Sequence, residues 1–219
     1  MSNHDLAVIV LAAGKGTRLR SSLAKVLHRA GGRTLVEQIV RACEPLKARE
    51  TIVVVGHQAE HVARVVEPLG AATVLQQPQN GTGHAVQVAK RALGRAKFAL
   101  VLPGDAPLIR TEALKALIAT HRNGNAAATI LSAVVADPSG YGRVVRKSET
   151  AVSSIVEESQ LTDEQREINE INSAIYCFTL EKLWPALTQV KPNNKHRELY
   201  LTDAIAVMSG KGETVLAQL

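Results

Sequence analysis

Along the first 123 positions, short apolar runs alternate with stretches whose apolar residues recur at helical spacing. Ala7 to Leu11, Thr51 to Val55, Ala72 to Leu75 and Phe98 to Leu102 read as buried strands. Between and after them, Leu35 to Cys43, Glu60 to Glu67, Thr82 to Leu93 and Thr111 to Arg122 read as amphipathic helices. Repeated β–α–β units with right-handed crossovers predict an α/β protein with a Rossmann-like, doubly wound, mostly parallel sheet. After Asn123 the pattern changes: Ala126 to Val135, Arg143 to Arg146, Val152 to Val156 and Ile171 to Phe178 are strands with less helix between them. This second half predicts a mixed-sheet extension. It also carries an acidic stretch from Thr162 to Glu170, a helix from Leu180 to Leu187, a Pro192-Asn193-Asn194 turn and a helix from Leu199 to Met208. With no internal repeat and no low-complexity linker, the expectation is one domain over 1–219 with parts at 1–123 and 124–219.

The first strand runs directly into Ala12-Ala13-Gly14-Lys15-Gly16-Thr17-Arg18-Leu19. Small residues let a backbone approach a ligand, and successive N–H groups can converge on phosphate oxygens. In open α/β sheets ligands sit outside the carboxyl ends of strands, where this loop falls. Two familiar nucleotide loops fail here. The dinucleotide fingerprint and the Walker loop both require glycine at the position of Leu19.

Composition narrows the function classes. Hydrophobic residues make up 46% of the chain and aromatic residues only 3%, so the core rests on Val, Ile, Leu and Ala, as suits a sheet covered by helices. The formal charge is +6, with a local excess at Lys15, Arg18, Arg20, Lys25, Arg29 and Arg33 around the glycine-rich loop. Nucleic-acid binding would call for a dense basic stripe interleaved with aromatics, and the chain has neither. Cys43 and Cys177 lack metal-ligand spacing and read as free core thiols of a cytoplasmic protein. The first apolar run is too short for a signal sequence or membrane span.

Leu11 to Leu19 with Lys25-Val26-Leu27-His28 resembles the L-A-A-G-x-G-T-R-[LM]…P-K-[VP]-L signature of the nucleoside-triphosphate sugar-phosphate transferases. Further segments match in order: Gln76-Gln77-Pro78, Gly81-Thr82-Gly83-His84-Ala85, Gly104-Asp105-Ala106-Pro107-Leu108-Ile109, Gly140-Tyr141-Gly142-Arg143, Ile155-Val156-Glu157-Glu158, Glu170-Ile171-Asn172 and Tyr200-Leu201-Thr202-Asp203. The set spans nearly the whole chain and is most similar to the uridylyltransferase domain of the bifunctional bacterial GlmU family. That resemblance implies a GT-A-like fold and a UDP-N-acetylglucosamine pyrophosphorylase. Such an enzyme joins UTP to N-acetylglucosamine 1-phosphate for peptidoglycan and lipopolysaccharide precursors.

Residue chemistry and resemblance combine into an expected site. Asp105, after a strand and a Gly104 turn, should stand at the sheet's carboxyl edge, where a hard oxygen suits Mg²⁺ on a triphosphate. Arg18 and Lys25 can neutralise charge on the α-phosphate and departing pyrophosphate; alone they would read as surface cations, but the matching family residues contact phosphates. The resemblance assigns Leu11, Ala12, Ala13, Gly14, Gln76, Gly81 and Thr82 to the nucleotide, although Thr82 serves equally as a helix N-cap on sequence grounds. Gly142, Glu157 and Asn172 match sugar-holding positions, while Glu and Asn at strand ends can also be satisfied structural polars. The implied partners are small molecules, with no nucleic acid or membrane.

Departures from the family pattern carry their own expectations. Ala24 replaces a Pro before Lys25, which should loosen that loop, and Ser173-Ala174 replaces Thr-Gly, which should crowd the sugar pocket. A second family magnesium ligand, an Asn in G-V-N-[ND], and a left-handed β-helix acetyltransferase domain are absent from these 219 residues. If the chain is complete, weaker metal binding, no acetyltransferase activity and a monomer are expected. His57-Gln58-Ala59-Glu60-His61 also fits an inverted zinc-protease pattern, but it begins at a strand end, where its histidines need not share a helix face.

Overall fold

The computed structural model describes the whole chain apart from residues 1, 2, 17, 18, 193, 195 and 196. In chain order the described residues form β1 (Asn3–Ala12), β2 (Arg29–Ala30), β3 (Arg33–Thr34), α1 (Leu35–Cys43), β4 (Ala48–Val55), α2 (Ala59–Val66), β5 (Ala72–Leu75) and α3 (Thr82–Ala89). Then come β6 (Phe98–Pro103), α4 (Thr111–Asn123), β7 (Ala128–Val134), β8 (Arg143–Arg146), β9 (Val152–Val156) and α5 (Asp163–Arg166). β10 (Glu170–Thr179), α6 (Leu180–Leu187), α7 (Leu201–Gly210) and β11 (Val215–Gln218) complete the order.

Local chemistry sets the bounds of these elements. α1 begins where the Thr34 hydroxyl accepts from the Glu37 N–H at 3.2 Å, and its buried face is Val36, Ile39, Val40 and Cys43. Pro45 and the left-handed Lys47 end that segment before β4. α3 is shorter than the periodicity predicts, because after Ala89 the backbone tightens into a 3-10 turn over Lys90–Leu93. The last predicted helix starts at Leu201 instead of Leu199, since Leu199 is occupied in backbone pairing with the turn before α3. The β2–β3 hairpin escapes the pattern because strands of two residues show no alternation, and β11 is a further strand that the sequence reading does not include.

Four parallel strands stand in the order β5–β4–β1–β6, and the sheet continues antiparallel through β10 to β7, with β11 parallel to β7 at the far edge. The β8–β9 hairpin joins through β10. Side chains alternate across this sheet. Leu6, Val8, Val10 and Ala12 of β1 pack with α1, α2 and α4, whereas Ala7 and Ile9 pack with α3, α6 and α7. β6 divides the same way, Leu100 and Leu102 against Ala99 and Val101. Helices on both faces explain why these strands are continuously apolar. Winding runs from β1 out to β4 and β5, then returns to β6 on the opposite side of β1. That reversal opens a crevice at the carboxyl ends of β1 and β6.

Cys43 and Cys177 are both buried free thiols, and burial pushes each up to about 12, so neither is a ready nucleophile. His121 is the other buried titratable group of note. Its ring nitrogens each lie 3.0 Å from a hydroxyl, Thr129 Oγ1 on β7 and Thr179 Oγ1 on β10, and Phe98 meets it edge-on. Burial first, and then the adjacent Arg122 charge, lower His121 from 6.5 to about 4. The neutral ring can donate to one hydroxyl and accept from the other.

A histidine held neutral in the fold stabilises it fully above pH 6.5 and loses that contribution as pH falls toward about 4. Urea unfolding at pH 7 and pH 5 should therefore show a fall of about 2 kcal/mol attributable to this residue. The measurement is the pH dependence of wild type minus that of His121→Gln; an unchanged difference between the two pH values would contradict this assignment.

Candidate active site

A cavity of about 670 Å³ opens over the carboxyl ends of β1 and β6. Its floor on one side is the end of β1 and the loop that follows: Leu11, Ala13, Gly14, Lys15 and Gly16 all line it. Ala12 lies beneath, its methyl buried in the opposite core layer, so only its backbone can face a ligand. The loop is held from two directions. Gly104 N–H donates to Leu11 O at 2.9 Å, and His57 N–H donates to Ala13 O at 3.1 Å.

Lys25 and Asp105 form an ion pair beside this loop, with Asp105 a quarter exposed. Gly16 has φ +64°, and a Cβ there would lie 2.5 Å from Lys25 Cβ, so only glycine lets the loop pass over the lysine stem. Asp105 does not cap α4, whose cap position is Arg110 with no side-chain bond. Arg18 lies outside the described residues.

The opposite wall comes from the turn before α3. Gln76 is buried, with its amide nitrogen 2.9 Å from Gly81 O and 3.2 Å from His84 Nδ1. Gly81, at φ +95°, occupies the cap position of α3, and Thr82 is the first helical residue. The expectation that Thr82 is itself the N-cap is thus corrected: its hydroxyl accepts from Leu201 N–H at 2.9 Å, tying α3 to the start of α7. Leu199 completes this seam, donating its N–H to Asn80 O and accepting from Gly83 N–H. A Cβ on Gly81 would stand 2.6 Å from Leu199 O.

Gly142, Glu157 and Asn172 line the far end of the same cavity. Gly142 O accepts from Asn172 N–H at 2.8 Å, joining the start of β8 to β10. Glu157 Oε1 accepts from the Thr202 hydroxyl at 3.2 Å. Burial raises the Glu157 carboxyl above its ordinary value, the Thr202 hydrogen bond opposes that rise, and the charge of Asp203 adds to it. Asn172 donates from Nδ2 to the Tyr176 hydroxyl at 2.8 Å and accepts from Ala174 N–H at 3.0 Å. These bonds span a bulge, since the β10–β7 register shifts between Asn172 and Ile175. Ala174 sits in that bulge at φ +61°, a left-handed conformation that glycine adopts more readily.

The cavity thus gathers Leu11, Ala13, Gly14, Gln76, Gly81, Thr82, Gly142, Glu157 and Asn172; Lys25 and Asp105 are not in its lining, and Lys25 lies behind Gly16, which is. Sequence reasoning passed over Gln79, Tyr176 and Glu198, which also line it. Gln79 is one of three amide residues between Gln76 and Gly81, with Gln77 and Asn80, and nothing local singles it out. Tyr176 falls within an apolar strand and reads as core until its hydroxyl is seen against Asn172.

At the position where the family pattern has proline, the alanine makes a contact that a proline could not. Ala24 is fully buried, and the N–H that a proline would lack donates to Gln58 Oε1 at 2.9 Å. The zinc-like motif places His57 ahead of α2 and His61 within it, and no group of three or more His, Cys, Asp or Glu converges anywhere among the described residues.

Residues 8–201 match the model of the MobA-like NTP transferase domain. The chain belongs to that family. This MobA-like transferase is 44% identical over 207 residues to the bifunctional protein GlmU of Alkaliphilus metalliredigens, a match covering 94% of this chain and 45% of that protein. It is 46% identical over 216 residues to the GlmU of Solibacter usitatus, covering 98% and 46% respectively. The GlmU of a Synechococcus species is 48% identical over 205 residues, covering 93% and 46%. The chain therefore spans about half the length of these relatives. A crystal structure of UDP-glucose pyrophosphorylase complexed with UDP-glucose superposes with a TM-score of 0.81 over 100% of this chain and 91% of that one, at 17% identity. That likeness establishes the shared fold, GT-A-like with a mostly parallel central sheet. The family match makes the chain an NTP transferase domain. No helix among the described residues is long and apolar enough to cross a membrane.

Relief of the Ala174 backbone is directly measurable. Ala174→Gly should stabilise the fold by about 0.5–1 kcal/mol, the left-handed penalty of alanine less the entropy lost by glycine. Chemical denaturation checks this, and destabilisation by the glycine would contradict the strained bulge.

Proposed function

We propose that this transferase joins UTP to N-acetylglucosamine 1-phosphate, releasing pyrophosphate and UDP-N-acetylglucosamine in the cytoplasm. The observation that carries the reading is that one cavity combines two kinds of lining. The first is the glycine-rich backbone loop, which packs through Gly16 against the stem of Lys25 and so beside its pair with Asp105; the second is Glu157, Asn172 and Gly142. A triphosphate suits the first and a sugar bearing hydroxyls and an amide suits the second. The GlmU relatives, 44–48% identical over 93–98% of this chain, support the same reading. In this reading residues 1–123 hold the nucleotide and residues 124–219 the sugar within one domain.

Each residue then has a physical task. The backbone of Leu11, Ala12, Ala13 and Gly14 follows the phosphates and base, and Gln76, Gly81 and Thr82 present polar groups to the uracil edge. Gly142 leaves space beside Glu157, whose Oε2 would be 3.5 Å from a Cβ at that position, so a sugar hydroxyl can reach the carboxylate. The attacking phosphate oxygen is already ionised, so no general base is needed. Catalysis rests on alignment and on charge, with Lys25 and Arg18 opposing the negative charge on the α-phosphate and leaving pyrophosphate.

Asp105 fits a role in holding Mg²⁺. That ion takes one or two carboxylates together with substrate phosphate oxygens and water. Asp105 offers one partly exposed carboxylate at the crevice, with no wider protein ligand cluster among the described residues. When bound, Mg²⁺ supplies charge neutralisation to the triphosphate. In this reading Lys25, paired with Asp105, turns its ammonium toward phosphate.

Pyrophosphate release from UTP, N-acetylglucosamine 1-phosphate and Mg²⁺ tests the reading, with CTP, dTTP and glucose 1-phosphate as competitors for specificity. Asp105→Asn should lower kcat by about 100-fold or more with the fold intact. Full turnover by that variant would refute the role of Asp105, and turnover with another nucleotide alone would reassign the base.

A further inference from the structure

The turn between β4 and α2 is not part of the cavity floor, yet it is bonded to segments that are. His57 N–H donates to Ala13 O in the phosphate-side loop. A Cβ on Gly56 would stand 2.5 Å from Gln79 Nε2 and 2.8 Å from Ala13 O, so this turn is packed directly against both. Gln58 reaches in the other direction. It holds a left-handed backbone, φ +54°, at the cap position of α2, but its side chain makes no cap bond to that helix. Instead its amide spans the segment that leads into Lys25: Oε1 accepts from Ala24 N–H at 2.9 Å, and Nε2 donates to Ser22 O at 2.9 Å.

The segment so held has few other anchors before Lys25. Ser22 and Leu23 are exposed, and Ala24 is the first fully buried residue. Directly after it, the 3-10 turn Lys25–Leu27 buries Val26 and Leu27 and projects Lys25 toward Asp105. Ala24 has φ −54° and ψ 137°, an extended conformation in which its N–H would be without a partner if Gln58 were absent. Burial of an unpaired N–H is unfavourable, so the amide clamp selects the backbone position from which Lys25 starts.

We propose that Gln58 is a positioning residue for Lys25, a two-point amide clamp that supplies the rigidity a proline at position 24 would otherwise give. The inference rests on the reading of Lys25 as a phosphate-contacting residue, but the clamp itself can be tested without turnover. It also gives the His57-Gln58-Ala59-Glu60-His61 segment a role in the nucleotide site through its central amide.

Gln58→Ala and, to spare the left-handed backbone, Gln58→Gly remove the clamp. Three readouts follow: hydrogen exchange at the Ala24 amide, the acylation rate of Lys25 read by peptide mass spectrometry, and steady-state kinetics with UTP. Ala24 exchange should rise about tenfold or more and Lys25 acylation about threefold, as the lysine leaves Asp105. kcat should fall about tenfold while KM for UTP stays within about twofold, the split expected when a group is misplaced instead of a site lost. Adding Ala24→Pro to Gln58→Ala should recover most of the kcat and the slow acylation, because φ −54° suits proline and the N–H is no longer needed. A merely structural glutamine would lower the melting temperature without altering Lys25 acylation in the folded chain, and that result overturns the proposal. Failure of Ala24→Pro to rescue also overturns it. If the wild-type chain releases no pyrophosphate, the activity reading fails, and exchange and acylation still decide the clamp.

Discussion

The glycine-rich side of the candidate site depends on β1 being hydrogen-bonded to a parallel neighbour on each side, β4 on one and β6 on the other. Parallel pairing brings the carboxyl ends of three strands to one edge, and the reversal of winding at β1 keeps helices from covering it. The loop after β1, the Gly56–Gln58 turn after β4 and the Gly104–Asp105 turn after β6 therefore meet at one place. They are joined by backbone bonds from Gly104 to Leu11 and from His57 to Ala13. A glycine-rich loop is otherwise a floppy element. Here its neighbours determine its course, and the passage of Gly16 over Lys25 leaves little freedom.

The second wall obeys a different constraint. Strand β10 lies antiparallel to β6 and carries an irregularity of two extra residues, Ser173 and Ala174, next to Asn172, which lines the cavity while Tyr176 and Phe178 pack in the core. Asn172 is fixed by Tyr176 and Ala174, Glu157 by Thr202, and Thr82 by Leu201. The polar side chains that face the ligand space are thus oriented by hydrogen bonds made before any ligand arrives, which limits the entropy lost on binding. Burial raises the carboxyl of Glu157 and of its neighbour Asp203, the electrostatic cost of placing carboxylates in a partly closed wall.

Much of this architecture was legible in the sequence because both faces of the parallel strands are covered, which forces continuous apolar runs, and because the helices between them bury regular stripes. Leu35–Cys43, Ala72–Leu75, Arg143–Arg146, Val152–Val156 and Leu180–Leu187 appear at the predicted bounds. Motif order located the cavity's walls for the same reason: loops after strands emerge at the carboxyl edge. What escaped prediction depends on contacts between residues far apart in the chain. The Gln58 amide meets Ala24 across 34 positions, and no local spacing announces it. At Ala24 the replacement of proline was weighed as lost stiffness, without the N–H that alanine adds and that bonds to Gln58. Thr82 resembled a cap in isolation, but its hydroxyl is taken by Leu201.

The central claim is that one cavity seats a nucleoside triphosphate on the β1 loop and a sugar phosphate against β8, β9 and β10. A crystal structure of this chain with UDP-N-acetylglucosamine and Mg²⁺ tests it most directly. The account predicts uracil beside Gln76 and Gly81, the diphosphate near the Leu11–Gly14 backbone and Lys25, and the sugar against Gly142, Glu157 and Asn172. A nucleotide bound away from the β1 loop, or a sugar that makes no contact with Glu157 and Asn172, would contradict it.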